Sequence, residues 1–554
     1  MSTASGRHGW TSCAPWSVSD TAAPPAVLSA LAHLDIRLLP AALTSWIVTA
    51  SGIVWPVGQM LASCCVVLLA AGALTRYAVR PGGHQSRLPT IGAGLVAVGV
   101  VGAGFGFAIA LRADAVARHP ITAAFGTVAP VTVTPSESAL SLGSGRLVFR
   151  ATLQRLRDDE IAGRVTVFAR ASDFDVMVGQ PMRFSARINR PTRHDLTVAV
   201  LNAAGRPVMG RAGAVQRAAH VVRGRFAATA HEVLPAAQAA LLPALVLGDT
   251  SAVAADTGRE FRSAGMTHLM AVSGANVTIV CAAVLFSARL LGPRAAVLLA
   301  GVALAAFVIV VQPTASVLRA AVMGAIALAG MLTSRRRQAI PALSAAVLIL
   351  LAVAPQLAVD AGFALSVLAT GGLVVIAPIW SRRLVAKGCP KPLADGLAVA
   401  LAAQLVTAPL VAGISGRVSL VSVAANLAAA PVIAPITVLG SAAAVMCLLW
   451  PPGAQLLMRF TGPELWWVSK SAHVAASVPA ATVPVPDGLA GVLLVGCATA
   501  LLLVLGMLLW RRSWFRVSIR AAAVVAVACV LAWSASELLD PRADWSAQRG
   551  TIMG

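Results

Sequence analysis

The chain has 554 residues, of which 58% are hydrophobic and only 12% are charged, and its mean hydropathy is +0.82. Soluble proteins carry about 25% charged residues, so this composition excludes a soluble globular protein and predicts a polytopic α-helical membrane protein. The formal net charge of +22 is almost entirely due to arginine, since the only lysines are Lys387, Lys391 and Lys470.

The N-terminal part is predicted to hold a flexible tail at 1–34 and membrane spans at 35–111. No signal-peptide pattern is present, because the first long apolar run starts near Leu38. Residues 38–75 as one helix would be longer than about 50 Å, which exceeds a hydrocarbon core of about 30 Å. A break at Trp55-Pro56 therefore predicts a hairpin of two short spans, and a Gly-rich span follows it.

Residues 112–214 are predicted to form a small extracytoplasmic β domain. Apolar and polar residues alternate with a period of two in several short segments bounded by Gly, Pro and Asp, a pattern typical of strands. The stretch 112–225 has 17 arginines against 8 acidic residues. Residues 215–245 are predicted to be an amphipathic helix and linker that lies on the membrane surface.

Residues 246–538 are predicted to form a transmembrane domain, followed by a C-terminal tail at 539–554. Single spans are predicted at 268–290, 295–311, 315–333, 340–356, 362–380, 395–414, 487–510 and 518–536. A longer apolar segment, 419–449, contains Asn426, Pro431 and Pro435. The whole chain is thus expected to have about 11–12 membrane segments.

Short basic loops predict the orientation, because loops rich in Lys and Arg stay cytoplasmic. These loops are 76–87, 289–294, 335–337, 382–391 and 511–520. They place the N-terminus inside and the β domain outside. Because the loops 382–391 and 511–520 are both placed inside, an even number of crossings must separate them. The spans 395–414 and 487–510 already provide two, so the segment 419–449 must enter and leave on the same face and is predicted to be broken or re-entrant. Such segments are common at translocation sites.

Polar groups at membrane depth mark candidate functional residues, because each is costly unless it is paired or hydrated. The candidates for a translocation site are Ser273, Asn276, Arg319, Asp360, Gln404 and Asn426. Asp249, Arg262, His268 and Gly274 lie in or beside the first polar run. Structural alternatives remain open: snorkelling for Arg319 and Asp360, interhelical hydrogen bonds for the amides, a close helix contact for Gly274 and a helix cap for Asp249.

Absent motifs narrow the class of protein further. None of the three lysines follows a glycine, so no Walker A motif is present and the chain is not a P-loop motor. The cysteines and histidines form neither a CxxC pair nor an HExxH motif. The sequence predicts no catalytic residues, no metal site and no cofactor.

Four ordered runs resemble the competence domain of ComEC-type DNA-uptake channels. They are Leu247-Gly-Asp-Thr-Ser through Phe261-Arg-Ser-Ala-Gly-Met-Thr-His-Leu-Met-Ala-Val-Ser-Gly-Ala-Asn276, Ser316-Val-Leu-Arg319-Ala, Gly362-Phe-Ala-Leu-Ser366 through Thr370, and Gln404-Leu-Val-Thr-Ala-Pro409 with Asn426-Leu-Ala-Ala-Ala-Pro431. The N-terminal hairpin and β domain are similar to that family's OB-like external domain. Asn276 departs from the pattern, because many relatives have histidine there.

The resemblance implies a channel that takes up single-stranded DNA across the cytoplasmic membrane during natural transformation. It implies a DNA receptor and a separate motor ATPase as partners. Many relatives continue into a metallo-β-lactamase-like domain. No such domain is expected within the 554 residues of this chain, so a nuclease is expected to act as a separate protein. On the β domain, the candidate DNA-binding residues are Arg150, Arg164, Arg183 and Arg187, which lie in alternating segments where they could hold a phosphate backbone.

Two other classes of function remain open. A secondary transporter or exporter of an anionic solute would share the intramembrane polar groups, but it does not need an external domain of this size. An intramembrane serine hydrolase could use Ser273 as its nucleophile. His268 is five residues earlier, however, which places it off the face of Ser273 in a helix.

Overall fold

The computed structural model describes residue 35 and residues 37–55, 57–78, 88–332 and 339–509. The predicted tails 1–34 and 539–554, the span 518–536 and the basic loops 335–337 and 511–520 lie outside the described residues, as does most of the loop 76–87. Three helices come first: α1 (Leu39–Val54), α2 (Gly58–Ala78) and α3 (Leu88–Ala117). The first two helices separate at Trp55, where the sequence predicts a hairpin.

A six-stranded β domain follows, formed by β1 (Val128–Pro135), β2 (Leu140–Gly143), β3 (Arg146–Leu156), β4 (Asp159–Arg170), β5 (Met182–Asn189) and β6 (Ala199–Met209). The strand order is β1-β5-β6-β4-β3-β2, and an added β1–β3 pairing closes five strands into a barrel. β4 pairs with β6 in parallel and the other pairs are antiparallel. This is an OB-like barrel, as predicted, and β5 alternates strictly between buried and exposed residues until its last position.

The linker after the barrel differs from the single surface helix predicted over 215–245. It consists of α4 (Ala214–Val233) and α5 (Ala236–Leu247), which separate at Leu234-Pro235. Only α4 is amphipathic. Every residue of α5 from Ala239 to Leu247 is buried, and most of them belong to the main hydrophobic core, because this part of the helix has no polar face to present to solvent.

The helical bundle continues with α6 (Ala255–Ser263), α7 (Thr267–Met270), α8 (Gly274–Ser287), α9 (Pro293–Val311), α10 (Ala315–Leu332), α11 (Ala339–Val353), α12 (Ala361–Val375), α13 (Ala377–Val385) and α14 (Lys391–Ser415). Within the described residues, eight helices are long and apolar enough to cross a membrane, and four shorter helices are also apolar. The predicted fold class, a polytopic helical membrane protein with an OB-like β domain, is confirmed.

The segment predicted to be re-entrant is a single continuous helix, α15 (Ser422–Leu449), so the predicted interruption is wrong. Pro431 and Pro435 lie inside this helix without ending it. Membrane helices tolerate proline where neighbouring groups satisfy the freed carbonyls. A proline-containing apolar stretch is therefore weak grounds for predicting a break.

Two helices follow α15 and return the chain to the end of the bundle at which α15 begins. These are α16 (Pro451–Phe460) and α17 (Gly462–Ser477), which precede α18 (Gly488–Leu509). The short strands β7 (Arg417–Ser419) and β8 (Thr482–Pro484) pair with each other, which places the start of α15 and the end of α17 at the same end of the bundle. The even number of crossings expected from the basic loops stays a prediction, because α16 and α17 are not among the helices that are long and apolar enough to cross a membrane.

Candidate functional site

The side chain of Arg319 on α10 is buried among the helices, with 6% of its surface exposed. Its Nε donates to Ser366 Oγ on α12 at 2.6 Å, and its Nη1 contacts Met323 Sδ at 3.4 Å. Ser366 in turn donates to Ser316 Oγ at 3.2 Å. Arg319 has no ion-pair partner among the residues that the structure describes, so this buried cation is held by neutral groups alone.

Gly274, the first residue of α8, makes room for that guanidinium. A Cβ at this position would lie 2.9 Å from Arg319 Nη2 and 3.4 Å from Ala320 Cβ. The close helix contact considered for Gly274 from the sequence is therefore present, and its partner is the buried arginine. A glycine here lets α8 and α10 approach each other with Arg319 between them.

Asn276 lies one turn into α8 and is 4% exposed. Its Nδ2 donates to the carbonyl of Leu245 at 3.0 Å, and its Oδ1 accepts from Ser273 Oγ at 3.4 Å. Leu245 lies in the last turn of α5, where carbonyls lack a partner within the helix. Ser273 and Asn276 also line a small cavity with Thr437 of α15. These two predicted residues therefore lie side by side.

His268 and Asn426 meet at the backbone of Gly265. Asn426 Nδ2 donates to the carbonyls of Ser422, at 2.8 Å, and of Gly265, at 3.4 Å. The His268 side chain forms a hydrogen bond with the backbone of Gly265.

Gln404 on α14 reaches the same end of the bundle through β7. Its Nε2 donates to the carbonyl of Ser419 at 3.5 Å, and Ser419 Oγ donates to the carbonyl of Ser263 at 2.7 Å. Gln404 thus contacts the backbone that connects α14 to α15, next to the segment that carries Gly265 and His268.

Two predicted residues are engaged in other structural contacts. Asp360 caps α12, because its Oδ1 accepts from the Phe363 amide at 2.9 Å, and its Oδ2 lies 3.5 Å from Arg150 Nη1 of the barrel. Asp249 forms an ion pair with Arg223 at 3.2 Å. Arg262, from the same motif, is exposed on α6.

Arg223 on α4 is a residue that the sequence interpretation missed. Its Nη1 donates to the carbonyls of Leu247, at 3.0 Å, and of Val310, at 3.2 Å, at the C-terminal ends of α5 and α9. A cation at two helix C-termini is favoured by both helix dipoles. The only feature of the sequence that could have indicated Arg223 is its position beside Val222 and near Phe226, two buried residues of an amphipathic helix.

Replacing Arg223 with methionine should lower the free energy of unfolding by about 3 kcal/mol, because Asp249 and two carbonyls would lose their buried partner. Thermal denaturation of the purified protein in detergent measures this loss. Arg225→Met is the matched control, since Arg225 is exposed on the same helix. An equal loss of stability in both variants would contradict the role assigned to Arg223.

The same ion pair predicts how stability depends on pH. Burial alone would raise the pKa of Asp249, but the hydrogen bond from Ser251 and the charge of Arg223 lower it below its usual value. A carboxylate with a lowered folded-state pKa stabilises the protein above the unfolded-state pKa, and this contribution is lost as the pH falls through the folded-state pKa. The pair therefore contributes fully at neutral pH and fails only in strong acid.

The four barrel arginines divide into two pairs. Arg183 and Arg187 are exposed on β5, and Arg183 has only a long contact, 3.9 Å, with the fully exposed Asp158. Arg150 on β3 pairs with Glu137 at 3.2 Å as well as with Asp360. Arg164 on β4 is half-buried, and its Nη1 is buried without a hydrogen-bond partner among the described residues.

Comparison with known proteins identifies one matching family. The family model for competence protein matches residues 245–514. The chain is also similar to ComE operon protein 3 of Bacillus subtilis (strain 168), with 29% identity over 196 residues, which is 35% of this chain and 24% of that protein. The match thus spans about a quarter of the relative's length. No solved structure matches the chain significantly.

Proposed function

Because residues 245–514 belong to the competence protein family, we propose that this chain is a channel for single-stranded DNA in the cytoplasmic membrane and serves natural transformation. One observation carries the proposal. The contacts of Ser273, Asn276, Gln404 and Asn426 converge on the segments 245–276 and 419–426. The guanidinium of Arg319, which Ser366 and Met323 hold, lies beside Gly274 of the first segment. A continuous set of polar groups is expected along a translocation path and is costly elsewhere in a membrane.

The proposed lining suits a conduit for a polyanion. Four of the five side chains are neutral and polar, and the single cation is Arg319. Conduction requires a path that holds its cargo weakly at several places, so that the cargo can leave as well as enter. A dense ring of arginines would retain DNA instead. Asp360 is assigned to the rim, where it contacts the barrel.

The contacts of the barrel support placing it outside the cell. Its Ser138 hydroxyl donates to the Gln312 side chain, just after the C-terminal end of α9, and its Arg150 contacts Asp360 at the N-terminal end of α12. Arg294 lies in the first turn of α9, and Arg382 and Arg383 lie in the last turn of α13, which follows α12 directly. These basic residues thus lie at the helix ends opposite the barrel, which the charge rule assigns to the cytoplasm.

The barrel is proposed to receive the DNA. OB-folds bind nucleic acids on one sheet face by combining cationic side chains with aromatic stacking. On β3 and β4 the guanidinium of Arg146 lies 5.9 Å from the centre of the Phe168 ring, and Arg150 and Arg164 lie further along the same strands. Arg183 and Arg187 provide exposed cations on β5. A DNA receptor and a separate motor ATPase complete the proposed machinery.

A transformation assay with labelled donor DNA tests the proposal. In a deletion strain, nuclease-protected cytoplasmic label should fall to background while surface-bound label is retained, and the wild-type gene should restore import. Methylphosphonate DNA, which lacks backbone charge, should not be imported. Unchanged import after deletion would contradict the channel and leave an anionic solute as the alternative cargo.

A further inference from the structure

The barrel is fastened to the bundle by contacts from two of its loops and one strand. Arg150 of β3 is held between Glu137 of the β1–β2 loop and Asp360 of the bundle. Ser138 of the same loop donates to Gln312, and Leu196 of the β5–β6 loop packs against the apolar cluster that contains Phe363. Gln312 and Leu196 have φ values of 77° and 64°, a costly conformation for residues other than glycine.

These contacts use the side of the barrel on which an OB-fold usually binds its ligand. That side consists of the second and third barrel strands and the loops L12 and L45. In this chain the corresponding elements are β3, β4, the segment between β1 and β3, which includes β2, and the β5–β6 loop. On this face Arg150 contacts the bundle and Arg164 beside it is half-buried, whereas Arg146 is exposed.

Carboxylates occupy the position that a phosphate would take. The charges acting on the Arg164 guanidinium are those of Arg150, Glu137, Asp195 and Asp360, and burial is the main cause that lowers its pKa. Its buried Nη1 still has no acceptor among the described residues. A phosphate oxygen would supply that acceptor, and it could replace Asp360 on Arg150 because guanidinium groups bind both kinds of anion in the same geometry.

Asp360 connects this junction to the interior of the bundle. Its Oδ1 caps α12 through the Phe363 amide while its Oδ2 faces Arg150. Ser366, the acceptor of the Arg319 Nε, lies six residues further along α12, a rise of about 9 Å. A change in the contacts of Asp360 therefore acts on α12, the helix that also positions Arg319.

From this arrangement we propose that Arg150 and Asp360 form a latch that closes the barrel on the bundle, and that a DNA phosphate opens it by displacing the Asp360 carboxylate from Arg150. The proposal rests on the proposed function, because it takes DNA as the ligand of the barrel. Glu137 and Asp360 act as substitutes for phosphate in the closed state. Binding of the DNA strand to the barrel and opening of the translocation path are then a single event.

The latch can be tested first without DNA. Ser138→Cys and Gln312→Cys place two thiols across the junction in the full-length protein, and disulfide formation under mild oxidation, identified by mass spectrometry, reports the closed state. Adding Asp360→Asn should slow cross-linking severalfold, because asparagine keeps the helix cap but loses the charge. Asp256→Asn, an exposed acidic position on α6, is the matched control and should leave the rate unchanged.

Binding of a fluorescent single-stranded oligonucleotide tests the competition. Asp360→Asn should tighten binding about threefold to fivefold, which is the size expected for removing one partly exposed ion pair. Arg150→Gln should weaken binding, and Asp360→Asn should have no further effect in that background. The oligonucleotide should also slow the wild-type cross-linking.

The two failures are distinguishable. Cross-linking and binding that are unaffected by Asp360→Asn would overturn the latch even if the deletion strain fails to import DNA. If Asp360→Asn slows cross-linking but the protein binds no oligonucleotide, the ion pair does close the junction. DNA does not open it, however, and the proposal is overturned.

Discussion

Replacing Arg319 with glutamine should reduce DNA import by roughly tenfold to hundredfold without lowering the stability of the protein. Arg319 is buried, it has no ion-pair partner among the described residues, and its guanidinium is held by Ser366 and Met323. A hydrogen bond from a charged group to a passing phosphate is worth about 1.5–3 kcal/mol, which corresponds to roughly tenfold to hundredfold in rate. Import of protected label in complemented deletion strains measures the effect.

The stability of the variant distinguishes a functional from a structural arginine. A buried cation without a counter-ion destabilises the fold, so Arg319→Gln should leave the melting temperature unchanged or raise it. If Arg319 only held the bundle together, the same change would lower the melting temperature and reduce import through loss of folded protein. Arg294→Gln, at an exposed position, controls for the loss of one positive charge.

Arg319→Lys is the conservative variant, and it should rescue little of the import. A lysine ammonium is a compact point charge, whereas the guanidinium donates from Nε to Ser366 while its Nη2 lies beside Gly274. Full activity of the lysine variant would show that charge alone is sufficient and would contradict the geometric role assigned to the planar group.

The sequence predicted the kinds of elements well because their signals are local. Apolar runs of sufficient length predicted the membrane helices, and period-two alternation predicted the barrel strands. The continuity of α15 was missed because Pro431 and Pro435 are strong breakers in water but are tolerated in a packed membrane bundle. The burial of α5 was missed because its neighbours come from distant parts of the chain.

Candidate residues could be nominated from the sequence, but their partners could not. Arg319 and Asp360 stood out as charges at the ends of apolar runs. Nothing local indicates that Arg319 rests on Gly274, or that Asp360 faces Arg150 on the barrel. Arg150 alternates along its strand like the other barrel arginines, yet it lies at the junction with the bundle, whereas Arg183 lies on an open face. Long-range packing decides this difference.

Enlarging Gly274 should reduce import in steps that follow side-chain size. A methyl group in Gly274→Ala would lie 2.9 Å from Arg319 Nη2, which is the end of a long side chain and can shift by a few tenths of an ångström. Gly274→Val brings two further carbons into the same contact and should displace the guanidinium from Ser366. We expect a partial loss of import for alanine and, for valine, a loss as large as that in Arg319→Gln.

Gly301, within α9, provides the matched control, because a Cβ there would meet nothing within 4 Å. Gly301→Ala and Gly301→Val change a membrane helix by the same atoms and should leave import near the wild-type level. The decisive comparison is the double variant of Gly274→Val and Arg319→Gln. If Gly274 acts by positioning Arg319, the double variant should import no less DNA than either single variant, because residues in contact have non-additive effects. Additive losses would mean that Gly274 serves only the packing of α8 against α10, and that the guanidinium has no role in transport that depends on this glycine.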